Sequence, residues 1–218
     1  MSSDFVISSR FDALIDKGGQ PFRLGLFGGT FDPVHIGHLH VAQRAWEQFS
    51  LDGVLFVPTG KPVRKLGFKL SAAEDRYTML KAAIAGNERF DVSRIEIERA
   101  GVTYTIDTLR VLKERFGEKL RLFFIVGSDA QLDIVTWKEA DEIATLVTVL
   151  SAQRKISQDS APLLPHNGNS FDIRHIDSCP LDVSSHELRE WVRQGHSIQY
   201  LVPDVVYAYI KEQRLYQD

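Results

Sequence analysis

Cysteine is nearly absent: Cys179 stands alone in 218 residues, which excludes an intrachain disulfide and suits a reducing compartment. Charge of one sign is lacking too. The 26 basic and 29 acidic residues leave a net charge of −3, which argues against broad nucleic-acid binding, and no basic stretch is interleaved with aromatics. No apolar run approaches the length of a membrane span. The first twenty residues mix Asp4, Arg10, Asp12, Asp16 and Lys17 with apolar positions, so no signal-peptide core is expected there. The dinucleotide fingerprint G-x-G-x-x-G is missing. Gly53 to Lys61 has the outline of a P-loop, but six residues separate its glycines and Pro62 stands where Ser or Thr belongs. These absences leave a soluble, cytoplasmic chain with no membrane or nucleic-acid partner, and a homo-oligomer is compatible with it. With 44% hydrophobic and 25% charged residues it has the means for an ordinary core. Residues 1–21, ending in Gly18-Gly19-Gln20-Pro21, read as an N-terminal extension with a short helix around Phe11 to Ile15. Residues 22–218 read as a single domain.

What is present is concentrated in one stretch, Gly25 to Leu39. The apolar run Phe22 to Phe27 predicts a buried strand that breaks at Gly28-Gly29, turns through Asp32-Pro33 and restarts as a helix near Gly37. Paired glycines let backbone N–H groups approach a ligand without an intervening Cβ. A helix start after such a turn offers unpaired amides and the positive end of the dipole. His35 and His38 fall on one face of that first turn. A metal pair is the competing reading, but no third ligand follows in a standard zinc pattern. Strand, glycines, helix start and imidazoles together describe a phosphate-handling site.

Elsewhere the chain alternates strand-like and helix-like segments. Val54 to Val57 and Leu120 to Val126 predict buried strands, Leu146 to Leu150 and Phe171 to Ile176 two more, and Phe90 to Glu98 a strand with one wet face. Ser71-Ala72-Ala73-Glu74 has the form of a capping box opening a helix. The helix after His38 carries Trp46 on its apolar stripe, and a helix carrying Trp137 is expected after Gly127-Ser128-Asp129. Ser184 or Ser185 would cap a helix holding Arg189 one turn in, a second anion-binding start.

The stretch GGTFDPVHIGHL, Gly28 to Leu39, resembles the signature of the HxGH nucleotidyltransferases, and its surroundings resemble the bacterial nicotinate-nucleotide adenylyltransferases. The likeness runs from about Leu24 to Leu215. It includes Gly127 and Asp129 with Trp137 eight residues after the aspartate, the Thr103-Tyr104-Thr105 element, and Val183-Ser184-Ser185-His186-Glu187-Leu188-Arg189. The chain departs from the pattern in places: before Lys65, Val63 replaces a proline and Arg64 a histidine, and in the last motif Val183 and Leu188 stand for isoleucines and His186 for a threonine. The resemblance implies an α/β, Rossmann-like, doubly wound and mostly parallel sheet with helices on both faces. It implies adenylyl transfer from ATP, with Mg²⁺, to nicotinate mononucleotide. His35, His38, Lys65 and Arg189 would be catalytic. Gly28, Gly29, Thr30, Phe31, Gly127, Asp129, Ser184 and Ser185 would join His35, His38 and Arg189 in binding ATP. Lys65, Tyr104, Thr105 and Trp137 would bind nicotinate mononucleotide, with backbone amides near Thr105 and Trp137 meeting its carboxylate. Arg154 is a weaker nucleotide-site candidate, and no protein metal ligand is expected. The alternatives are another phosphate acceptor, such as nicotinamide mononucleotide or phosphopantetheine, and a catalytically silent nucleotide-binding regulator.

Overall fold

The computed structural model describes residues 9–61, 70–127, 133–152, 171–179 and 181–217. Six strands form one sheet: β1 (Phe22–Gly29), β2 (Gly53–Pro58), β3 (Phe90–Val92), β4 (Leu120–Gly127), β5 (Val147–Ala152) and β6 (Ile173–Ile176). Their order is β3-β2-β1-β4-β5-β6, and each neighbouring pair is parallel. The chain winds outward from β1 through β2 to β3, then crosses to β4 and winds the other way. The crevice beyond the carboxyl ends of β1 and β4 is therefore the topological switch point, where open α/β sheets bind ligands.

Helices cover both faces: α1 (Ser9–Lys17), α2 (Ile36–Gln48), α3 (Ala73–Ile84), α4 (Thr105–Phe116), α5 (Ala140–Leu146), α6 (Ser185–Arg193) and α7 (Asp204–Glu212). Strand side chains alternate between two cores, as the period of two requires. Val54 and Phe56 of β2 and Phe123 and Ile125 of β4 pack with α2, α3, α6 and α7. Leu55 and Val57, with Leu122 and Phe124, pack with α1, α4 and α5.

Several expectations change in the fold. β3 ends at Val92, after pairing only with Val54 to Phe56 of β2, and a turn replaces the strand expected through Glu98. Trp137 lies just after a 3₁₀ turn, Ile134–Thr136, rather than within a helix. The helix-start pattern at Ser71 is offset, since Ala72 holds the N-cap position of α3 and makes no side-chain cap. Ser71 instead accepts, through its carbonyl, the Arg76 Nε–H at 3.2 Å.

Helix α1 falls inside the segment read as an extension, and it is seated on the sheet. Phe11 and Ile15 are each 1% exposed in the core of the second face. A Cβ on Gly53 would come within 2.5 Å of the Phe11 ring, so this strand start is glycine because the phenyl ring lies directly on its backbone. Truncating Phe11 to alanine is expected to destabilise the protein by about 3–5 kcal/mol, the usual range for a buried phenylalanine. Chemical denaturation measures it, and a loss under about 0.5 kcal/mol would mean that α1 is a dispensable appendage.

Candidate active site

The glycine pair completes β1 rather than ending it early. Gly28 and Gly29 pair with Val57 and Pro58 of β2, while pairing with β4 stops at Phe27. The two strands part there, and the glycine backbone forms the wall between two cavities. One, of about 200 Å³, is lined by Gly28, Gly29, Phe31, His35, Gly37, His38 and Gly127 among others. The other, of about 410 Å³, is lined by Gly28, Gly29, Thr30, Glu96, Tyr104, Thr105, Trp137 and Lys138 among others. A Cβ on Gly29 would lie 2.9 Å from the Phe31 ring, which packs beneath it. Phe31 itself holds a φ of 51°, a left-handed conformation uncommon for a bulky residue and often associated with functional sites.

The two imidazoles are fixed by the start of α2. His35 is the N-cap residue and is 4% exposed. Its backbone N–H donates to His38 Nδ1 at 3.3 Å, and the two rings stack with centroids 3.7 Å apart. The edge of Phe31 closes on His38 at 5.0 Å. A nitrogen that accepts a backbone N–H cannot carry its own proton, so the His38 ring holding this bond has its proton on Nε2. That tautomer leaves His38 one ring N–H donor, on Nε2. Free helix-start amides are also fewer than expected. Ile36 N–H donates to Leu201 O at 3.0 Å, and His38 N–H to His35 O at 3.0 Å. Gly37 has its own reason: a Cβ there would lie 3.0 Å from both His35 Nδ1 and Val183 Cγ1, at the approach to α6.

The turn between β1 and α2 is anchored from below. Asp32 is 1% exposed; its Oδ1 accepts the Tyr216 hydroxyl at 2.7 Å and its Oδ2 the Ser71 N–H at 3.2 Å. Arg76, also 1% exposed, donates to Thr30 O at 2.9 Å and Gly60 O at 3.3 Å as well as to Ser71 O. Its hydrogen-bond partners are carbonyls; on the same helix Glu74 pairs with Arg94, and Asp75 accepts the Tyr209 hydroxyl at 2.9 Å. Burial lowers the Arg76 pKa, and the nearby Asp32 carboxylate opposes that shift. Burial likewise pushes the Tyr216 hydroxyl up, with the Asp32 charge adding to it, so the phenol stays a donor.

Of the α6 residues, Ser184 is the cap: it accepts Glu187 N–H at 3.3 Å and donates to Glu187 Oε2 at 2.6 Å. Ser185 donates to Pro33 O at 2.9 Å. Arg189 Nη1 donates to Asp32 O at 2.7 Å and to Ser185 O at 3.2 Å. Ser185 and Arg189 reach the turn while Ser184 caps the helix that carries them, and none of the three is among the residues lining either cavity. Lys65, Asp129, Arg64 and Arg154 lie outside the described residues.

In the larger cavity Tyr104 is the N-cap of α4 and Thr105 its first residue. Trp137 meets Phe124 edge-on at 5.8 Å between centroids. Its backbone N–H donates to Ile134 O at 3.2 Å, so that amide is already engaged. Glu96 went unnoticed in the sequence because it sat within an apparent strand. It is 8% exposed and accepts the Thr108 hydroxyl at 3.0 Å, which in turn accepts Arg99 Nη1 at 3.0 Å. Tyr216, Arg76 and Asp32 were missed as a group because no local spacing joins them.

A family model described as Cytidylyltransferase-like matches residues 26–191. A Salinispora arenicola protein described as a "probable nicotinate-nucleotide adenylyltransferase" is 45% identical over 190 residues, covering 87% of this chain and 99% of its own. A Thermoanaerobacter protein of the same description is 42% identical over 204 residues, covering 91% and 96%. Among solved structures, the Plasmodium falciparum nicotinic acid mononucleotide adenylyltransferase complexed with NaAD shares the fold with a TM-score of 0.71 at 19% identity, covering 88% of this chain and 96% of that one.

Two outcomes test this account of the site. Tyr216→Phe leaves a buried carboxylate oxygen without its donor and is expected to destabilise the fold by about 1–3 kcal/mol, measured by urea unfolding; an unchanged midpoint would remove Tyr216 as an anchor. Glu96 gives a pH signature. Burial raises its carboxyl pKa, so the stability it adds is full below the unfolded value of about 4.3 and is lost as pH rises through the folded value. Glu96→Gln should therefore match the parent in Tm near about pH 4 and gain on it as the pH rises toward about 7. Parallel Tm curves would show that Glu96 ionises in the fold without penalty.

Proposed function

This chain belongs to the cytidylyltransferase-like family and, within it, to the nicotinate-nucleotide adenylyltransferases, and from that membership we infer that it transfers the adenylyl group of ATP to nicotinate mononucleotide, a step of NAD biosynthesis. The products are nicotinate adenine dinucleotide and pyrophosphate. The observation that carries the reading in this chain is the glycine wall with a cavity on each side: one beside the histidines, the other beside the aromatic and threonine side chains. Two nucleotides whose phosphates must react need adjoining cavities, and Gly28 and Gly29 border both.

The 5′-phosphate of the mononucleotide attacks the α-phosphorus of ATP in line, one P–O bond forms, the bond to the β-phosphate oxygen breaks, and pyrophosphate leaves. A phosphate monoester is already an anionic nucleophile, so positioning and charge stabilisation are the protein's tasks. His38 donates from Nε2 to the phosphoryl oxygens as charge spreads onto them, with His35 stacked behind it to fix the ring. Arg189, held to the signature turn through Nη1, contributes a fixed positive charge there. Lys65 supplies a second. Gly28, Gly29 and Gly127 allow the triphosphate to approach the strand ends, Ser184 caps α6, and Ser185 holds its start against the turn. Tyr104, Thr105 and Trp137 receive the pyridine nucleotide, the indole face suiting a flat ring.

Mg²⁺ enters with ATP. Among the described residues no group of three His, Cys, Asp or Glu side chains could hold a metal ion, and both Asp32 oxygens already accept hydrogen bonds. With ATP bound, Mg²⁺ would be held by phosphate oxygens and water and would lower the charge of the triphosphate. Among the described residues no helix is long and apolar enough to cross a membrane, and the lone exposed cysteine suits a cytoplasmic enzyme.

Pyrophosphate release from Mg-ATP, with nicotinate and nicotinamide mononucleotides assayed in parallel, tests the function; strong preference for the acid is expected, and no turnover with either would overturn it. In the same assay His38→Ala should lower kcat about 10²–10³-fold, the effect of removing one preorganised donor, with the folded state retained by circular dichroism. A folded variant with parental kcat would take His38 out of the mechanism.

A further inference from the structure

We propose that Arg76 is a positioning residue for the acceptor nucleotide: its guanidinium fixes the spacing between the end of β1 and the loop after β2, and with it the shape of the larger cavity. The proposal rests on the adenylyl-transfer reading above. It adds a residue that is buried, lines neither cavity and acts on only one of the two substrates.

The pairing of β1 with β2 ends at Gly29 and Pro58. One more rung follows, since the Thr59 N–H and hydroxyl both donate to Gly29 O, at 2.9 and 3.1 Å. The next carbonyls on the two segments, Thr30 O and Gly60 O, take their donors from Arg76. Its Nη1 reaches Thr30 O at 2.9 Å, its Nη2 Gly60 O at 3.3 Å, and its Nε Ser71 O at 3.2 Å. Three nitrogens of one rigid plane thus meet carbonyls on three segments, and a planar fork fixes their separation as a point charge cannot. Charge alone does not explain the arginine, because the nearby Asp32 oxygens take their hydrogen bonds from Tyr216 and Ser71.

Gly60 passes this spacing on to the wall of the larger cavity. A Cβ at Gly60 would lie 2.1 Å from Glu96 O, so only a residue without a side chain lets these two backbones lie so close. Beside them the Thr103 N–H donates to Lys61 O at 3.3 Å. Glu96, Thr103, Tyr104 and Thr105 line the larger cavity together with Thr30 and Thr59. None of these six is among the residues lining the histidine-side cavity. A shift of Gly60 or Thr30 therefore moves the acceptor's walls and leaves the ATP side in place. Displacing an acceptor phosphate by about 1 Å from its line of attack costs about 100-fold in rate.

Arg76→Lys keeps the charge and removes the fork. Gly60→Ala keeps Arg76 and wedges Gly60 away from Glu96 with a single methyl group. For each, kcat/KM for nicotinate mononucleotide is measured at saturating Mg-ATP, and the Kd of Mg-ATP is titrated without the acceptor, with Tm recorded beside them. The expected result is a fall of about 100-fold in kcat/KM for the mononucleotide in both folded variants, with the Kd of Mg-ATP at its parental value. A general loosening of the fold weakens both substrates, so equal losses for the two overturn the proposal. A parental kcat/KM for the mononucleotide in either folded variant overturns it too. If Arg76→Lys does not fold, Gly60→Ala decides; loss of the fold in both makes Arg76 a folding contact alone and overturns the proposal. These outcomes leave the adenylyl-transfer reading standing if the parent is active. A parent that does not turn over the mononucleotide overturns that reading and this assignment together.

Discussion

A single buried carboxylate governs the geometry of the site. Asp32 lies in the turn between β1 and α2 with almost no solvent contact, and an ionised group in that position must be met by donors or it becomes a large penalty. The donors come from distant parts of the chain. Tyr216 supplies its hydroxyl and the start of α3 supplies the Ser71 N–H, while Arg189 of α6 takes the Asp32 carbonyl. Arg76 adds a positive charge nearby and ties down the carbonyls of Thr30 and Gly60. The turn is thereby held on several sides, and the histidines that follow it inherit that rigidity.

Much of this molecule was legible before any coordinates, for a physical reason. Strands buried on both faces leave continuous apolar runs, and Leu120 to Val126 could hardly be anything else. The histidine pair lies within one helical turn of a glycine-rich strand end, so local spacing alone assembles half of the site. The Asp32 anchor, by contrast, joins residues 184 positions apart, and no periodicity reports such a contact. The errors have the same origin. Alternation from Phe90 to Glu98 suggested a longer strand, but β2 offers pairing partners only for the first three residues. Ser71 carried the composition of a cap, yet its N–H is drawn to Asp32 and the helix starts two residues later.

The two cavities differ in character. On the histidine side two stacked imidazoles sit in an aromatic frame of Phe27, Phe31 and Phe56. On the tryptophan side threonines, one buried acid and one half-exposed lysine surround an aromatic wall among the described residues. The Gly28-Gly29 backbone borders both, and the ring of Phe31 fills the place where a Cβ on Gly29 would stand. Fold and chemistry meet at that point: the switch between the two winding directions of the sheet is also the place where β1 loses its pairing with β4.

The distance along the chain between Asp32 and Tyr216 has a consequence for biosynthesis. At about 5–20 residues per second, the 184 residues between them take on the order of ten to forty seconds to translate. For all of that interval the nascent turn lacks its phenolic partner, and its carboxylate is better solvated by water than buried. The nucleotide site is therefore assembled late, and a ribosome that stalls before Tyr216 yields a chain whose signature motif is present but not yet in its working shape.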